Sequence, residues 1–220
     1  MIIAERIQDI RNSLPEEVTL VAVSKTHPTE AIREAYDAGQ RIFGESRPQE
    51  LKTKYEALPH DIEWHMIGHL QTNKVKYIAP FVALIHSVDS SRLAEAINKE
   101  AGKCGRVIDA LLEIHVAAED SKSGWEYSEL VEYIRSGALT ELRNIRLRGV
   151  MCIATNTEDE AVVRADFERL ASYYREITPL FGDKFDTISM GMSDDYPLAI
   201  ECGSTMVRVG SKIFGYRSYL

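Results

Sequence analysis

Several things are scarce in this 220-residue chain, and each scarcity closes off a class of protein. Its three cysteines, Cys104, Cys152 and Cys202, are odd in number, far apart and without a C-x-x-C pair. That argues against a disulfide framework or a thiolate zinc site and fits free thiols in a reducing compartment. No apolar run approaches the ~18 residues needed to span a bilayer. The opening stretch MIIAERIQDIRNSL is charged from its fifth residue and lacks the apolar region of a signal peptide, so a soluble cytoplasmic protein without membrane contact is expected. Basic charge is short as well: the formal net charge is −8, which leaves no general footprint for nucleic acid. An anionic ligand has to be gripped by local donors. Missing too are a Walker loop, a Rossmann glycine pattern and a G-x-S-x-G elbow.

What is present is a regular alternation. Ile3, Ile7, Ile10 and Leu14 share one face of an opening helix that Pro15 stops. Short apolar runs then alternate with helical patterns, the strands read as 19–24, 41–43, 63–67, 83–88, 110–116, 146–151, 187–190 and 206–209. Thr29, Ser90 or Ser91, and Ser128 are candidate helix caps, and Thr157 with Glu160 has the spacing of a capping box. Eight strand-then-helix units of buried, β-branched character, with no linker between them, predict one (β/α)8 TIM-barrel domain over residues 1–220 with an extra N-terminal helix. An open doubly wound sheet is the alternative.

In a closed parallel barrel the active face lies at the C-terminal ends of the strands, and phosphate often sits after strands seven and eight. The seventh strand runs into Ser189-Met190-Gly191-Met192-Ser193-Asp194-Asp195, and the eighth into Gly210-Ser211. Glycines let backbone N–H groups approach an anion and hydroxyls add donors, although the same residues also serve plain turns. Lys25, ending the first strand, would face the barrel mouth, where a buried amine can attack an aldehyde; pairing with a carboxylate is the commoner fate of a lone lysine. Arg208, within so apolar a strand, needs a partner, and an ion pair with Glu45 or Glu201 would supply one. His65-x-x-x-His69 has metal-like spacing for a helix, but Gly68 and the strand context break that geometry, so structural or ligand-edge histidines are expected instead.

Ala22-Val23-Ser24-Lys25-Thr26, Phe43-Gly44-Glu45 and Trp64-His65-x-Ile67-Gly68-x-Leu70-Gln71-x-Asn73-Lys74 occur in order along the chain. Ser121-Lys122-Ser123-Gly124, the Ser189–Asp195 loop and Gly203-Ser204-Thr205-Met206-Val207-Arg208-Val209-Gly210 follow them. Together they resemble the YggS/PROSC-type pyridoxal phosphate homeostasis proteins over essentially the whole chain, whose barrel is that of the alanine racemases. The resemblance implies pyridoxal 5′-phosphate (PLP) as cofactor and Lys25 as its Schiff-base lysine. By the same resemblance Ser193, Gly210 and Ser211, with the backbone at Met192, cradle the phosphate and Arg208 faces the pyridine nitrogen; His65, as a ligand-edge histidine, is counted among the cofactor-binding candidates. Where that family has Asn and an aromatic after Phe-Gly-Glu, this chain has Ser46 and Arg47, and Ser46 is the expected replacement beside the ring.

An arginine opposite the ring nitrogen stays protonated and donates to it, which leaves a poor electron sink and weakens carbanion chemistry. The chain ends ten residues after Gly210, without the β-rich second domain that completes the racemase site. The expectation is therefore a non-catalytic, monomeric PLP carrier that hands its cofactor to apo-enzymes. Two alternatives stay open: a PLP-dependent racemase or lyase with Lys25 as base, and a Schiff-base aldolase for phosphorylated sugars.

Overall fold

In a computed structural model, which describes residues 2–119 and 123–215, eight parallel strands close on themselves in sequence order. The strands are β1 (Thr19–Val23), β2 (Ile42–Glu45), β3 (Glu63–Met66), β4 (Leu84–Val88), β5 (Ile108–Glu113), β6 (Ile145–Met151), β7 (Thr187–Ser189) and β8 (Met206–Val209). Closure excludes the open doubly wound alternative. Helix α1 (Ile3–Ser13) precedes the barrel, and α2 (Thr29–Asp37), α3 (Pro48–Ala57), α4 (Ser91–Lys103), α5 (Tyr127–Arg135), α6 (Glu160–Ile177), α7 (Tyr196–Glu201) and α8 (Ser211–Phe214) follow strands. After β3 the connection is a 3-10 helix, Thr72–Tyr77. Among the described residues no helix is long and apolar enough to cross a membrane.

Strand pleating sorts the side chains into two sets. Leu20, Ala22, Phe43, Trp64, Ile85 and Leu112 pack outward against helix residues such as Ile32, Leu51, Ile97 and Phe167 in the large core. Val21, Leu84, Leu111, Met151 and Met206 form a second, smaller cluster, the apolar layer inside the barrel. The seam pairs β1 with β8, from Thr19↔Met206 to Ala22↔Val209, and so sets Val21 opposite Arg208.

Helix starts differ in detail from the sequence reading. Ser90 does cap α4, accepting from the Leu93 N–H at 3.3 Å. The N-cap of α2 is Pro28, not Thr29, and that of α5 is Glu126, not Ser128; neither makes a side-chain cap bond. Asp159 caps α6 through the Ala161 N–H, while the Thr157 hydroxyl accepts from Asp159 N–H one step earlier. A capping motif in sequence marks a helix start, and competition between adjacent acceptors decides which residue serves.

β6 bulges against β5 so that Ala110 pairs with Leu147 and Leu111 with Gly149. Gly149 has φ 153°, and a Cβ there would lie 1.8 Å from the Thr187 carbonyl oxygen of β7. Gly149→Ala is expected to cost at least ~2 kcal/mol by strain and overlap. Urea denaturation checks this, a midpoint within error of wild type being the contrary result.

Candidate functional site

The strand ends on the C-terminal rim enclose a cavity of about 530 Å³. Lys25, two residues past β1, lines one wall, and Ser46, just past β2, lies beside it. Met192 and Ser193 from the loop after β7, with Gly210 and Ser211 after β8, line the other side, and Arg208 joins them from within β8. Seven of the eight residues singled out in the sequence therefore share one cavity. His65 does not line it. His65 points into the barrel and opens instead on a cleft at the N-terminal rim beside Glu63, Asp109 and Arg148. Ser123 donates to Glu113 Oε1 at 2.8 Å, while its motif neighbours Ser121 and Lys122 lie outside the described residues.

The loops after β7 and β8 are bonded to each other. Gly210 N–H donates to Ser193 Oγ at 3.1 Å, which leaves the serine its own hydrogen to donate. Met192 N–H is engaged by the Asp195 carboxylate, so Met192 adds its half-exposed side chain to the rim and not an open amide. Gly191, at φ 94°, brings the loop hard against α7, where a Cβ would meet the Ala199 Cβ at 2.6 Å. In α8 the Ile213 and Phe214 N–H groups both donate to the Gly210 carbonyl at 2.9 Å, while those of Ser211 and Lys212 have no carbonyl inside the helix to bind.

Arg208 is 4% exposed, and neither expected carboxylate partners it. Glu45 pairs with Lys54 at 2.8 Å and Glu201 with Arg164 at 2.8 Å. Arg208 donates through Nη1 to the Ser189 carbonyl (2.9 Å) and hydroxyl (2.6 Å), and through Nη2 to the Cys152 carbonyl (2.9 Å). Neutral acceptors spare the fold a second buried charge and hold the guanidinium in one plane. Ser189 Oγ also lies 3.0 Å from His86 Nδ1, and His86 Nε2 lies 3.0 Å from His65 Nδ1. With His86 in its Nε2–H tautomer, the Ser189 hydroxyl, which accepts from Arg208, donates onward to His86 Nδ1. The chain of donors then runs from Arg208 through Ser189 and His86 to His65.

Burial depresses both histidines: His65 to about 3, and His86 well below its ordinary value, with His65 and the Arg208 cation adding to the effect. Both are neutral, as the donor chain requires. His86 and Ser189 are supporting residues that the sequence reading passed over. Their signal was the one that flagged Arg208, polar side chains inside buried strands. His27, also on the cavity rim and stacked on Phe214 at 5.0 Å, had no such signal.

An amine on one wall, a fixed cation in the floor and hydroxyl donors beside the start of α8 at the far end suit a flat ring carrying an aldehyde and an anionic tail. Among the described residues no group of three or more His, Cys, Asp or Glu is arranged to hold a metal.

Known proteins are similar to this chain in sequence and in fold. The family model of the alanine racemase N-terminal domain matches residues 2–218. The pyridoxal phosphate homeostasis protein of Aquifex aeolicus is 44% identical over 204 residues, covering 91% of this chain and 87% of its own. That of Escherichia coli K12 is 41% identical over 210 residues, covering 93% and 88%. The chain belongs to the YggS/PROSC-type pyridoxal phosphate homeostasis family. PipY of Synechococcus elongatus PCC7942, solved without PLP and with PLP bound, is 40% identical and covers 97% of this chain and 100% of its own, with TM-scores of 0.90 and 0.88. Alanine racemase from Bartonella henselae shares the fold at 15% identity and TM-score 0.72, with 60% of its chain matched.

Because His65 is neutral when folded and titrates near 6.5 when unfolded, its contribution is intact above pH 6.5 and is lost as pH falls towards about 3. Between those values each such histidine steepens the loss by up to ~1.4 kcal/mol per pH unit. Urea midpoints from pH 7 to 5 should fall less steeply in His65→Asn than in wild type. Equal slopes would mean that His65 is not buried neutral.

Proposed function

We propose that this protein holds PLP as a Schiff base on Lys25 and keeps it for delivery, without catalysing a reaction on it. The observation that carries the reading is the gathering of Lys25, Arg208 and the Ser193/Gly210/Ser211 loops on one cavity. In its neutral form the Lys25 amine adds to the aldehyde carbon, and water leaves as the C=N bond forms. Ser193 donates its hydroxyl hydrogen to the phosphate, and the first amides of α8 supply further donors. Met192 and Ser46 close the two sides of the ring, Ser46 standing where related chains carry Asn.

Arg208 is the residue that separates holding from catalysis. Burial draws its pKa down from the ordinary guanidinium value, yet a guanidinium has donors only, and Arg208 lines the cavity. A donor opposite the ring nitrogen keeps that nitrogen unprotonated. PLP supplies an electron sink to bound amino acids when its ring nitrogen is protonated, and the arginine suppresses this. The homeostasis names of the relatives and the PLP-bound structure of PipY support the same reading. Under it the protein acts as a monomer and passes PLP to apo-enzymes. His65 serves the site from beneath, by fixing Arg208 through His86 and Ser189, and not by touching the ligand.

The holo-protein should be yellow, and borohydride followed by peptide mass mapping should place the reduced adduct on Lys25, with none in Lys25→Ala. A colourless protein or an adduct elsewhere would overturn the assignment. Arg208→Ala should weaken PLP retention about tenfold or more, the scale of a charge-assisted hydrogen bond, while leaving the Schiff base able to form. Unchanged retention would remove Arg208 from the site. Incubation of the holo-protein with a panel of amino acids should give no turnover beyond slow transamination, and sustained racemisation would favour an enzyme.

A further inference from the structure

We propose that Glu50 and Lys54, on α3, are positioning residues that clamp the backbone on both sides of Lys25 and so aim its amine into the cavity. The proposal deepens the PLP-holding reading and rests on it. Its starting point is Thr26, with φ 69°, the sole non-glycine residue at positive φ among the described residues. A side chain in the left-handed region is strained, and it persists where neighbours over-determine it.

Here the neighbours are identifiable. Thr26 N–H donates to Glu50 Oε1 at 2.6 Å, and the Thr26 hydroxyl donates to the Lys25 carbonyl at 2.6 Å. On the other side of Lys25, the Ser24 carbonyl accepts from Lys54 Nζ at 2.8 Å and from His27 N–H at 3.0 Å. The remaining two hydrogens of the Lys54 ammonium reach Glu45 Oε1 at 2.8 Å and Glu50 Oε1 at 2.7 Å. The Ser24 hydroxyl also donates to Glu45 Oε1, at 2.6 Å. Lys54 is 5% exposed and Glu45 is fully buried, a costly arrangement for two charged residues. It ties together the end of β1, the end of β2 and the first turns of α3. Residues 24 and 26 are thus fixed to α3, and residue 25 between them has its backbone direction set while its side chain extends to the cavity.

A purely structural network would change stability alone. A clamp makes a sharper statement: glycine at position 26 takes the left-handed conformation without strain, so it should dispense with the Glu50 contact. The full-length protein and its Glu50→Ala, Glu50→Gln and Glu50→Ala/Thr26→Gly variants are titrated with PLP by absorbance and trapped with borohydride. Amide hydrogen exchange over residues 24–27 is measured without PLP, and thermal melts identify the folded variants.

Glu50→Ala is expected to weaken Schiff-base formation about tenfold, the size of the left-handed penalty, and to speed exchange at Thr26. Adding Thr26→Gly should recover most of that loss. Glu50→Gln, which keeps an acceptor for the Thr26 N–H, should show a smaller loss, and it carries the test if the alanine variant fails to fold. A wild-type constant in Glu50→Ala, or a loss that Thr26→Gly leaves untouched, would overturn the clamp while leaving the PLP reading intact. If the wild type itself traps nothing on Lys25, the reading of the site falls and the proposal falls with it.

Discussion

Thr19 pairs with Met206, and Ala22 with Val209, across nearly the whole length of the chain, and the barrel and its site depend on that seam. The ordering entropy of so long a closure is paid once, by a ladder whose residues are almost all buried. The seam delivers the first strand's end to the last strand's end. Lys25 and Gly210 are 185 positions apart in sequence, and they line the same cavity because β1 and β8 are hydrogen-bonded neighbours in register. An open sheet of the same strands would leave them on opposite edges.

Below the cavity the barrel interior changes character. An apolar layer of Val21, Leu84, Leu111, Met151 and Met206 is accompanied by a polar set of Arg208, Ser189, His86 and His65. One buried guanidinium accounts for the set. It takes a hydroxyl and two carbonyls as acceptors, and the hydroxyl's hydrogen then needs a histidine that must be neutral. Burial imposes that neutrality. The result is a cation held rigidly, without a carboxylate to compete with a ligand for its remaining donors.

The polarity of the site is therefore local. A chain with net charge −8 presents an anion-compatible pocket through a few amides, hydroxyls and one arginine, and the global field contributes nothing favourable. The two ends of the cavity are also built differently. The end at the last two loops is loop-on-loop, joined by Ser193 and Gly210. The amine end is strand-on-helix, joined by the ion network between α3 and residues 24 to 26.

Much of this was legible without coordinates, because periodicity and turn chemistry act over short distances. The eight strand runs, the N-terminal helix, and the placing of Lys25, Ser193, Gly210 and Ser211 past strand ends and of Arg208 within the last strand all follow from local pattern. Helix caps were legible to within a residue or two: Thr157 binds the Asp159 N–H and Asp159 in turn caps α6 through the Ala161 N–H. The partners were not legible. Arg208 offered Glu45 and Glu201 as plausible ion pairs, and it chose Ser189 and Cys152; His65, expected to be structural or at the ligand edge, meets His86 inside the barrel and does not line the cavity. Sequence by itself determined the alternation that makes a barrel and the residue types able to bind an anionic aldehyde. Only the tertiary structure decided which side chains meet, because barrel closure and pleating assign each residue a height and a direction that no local spacing encodes.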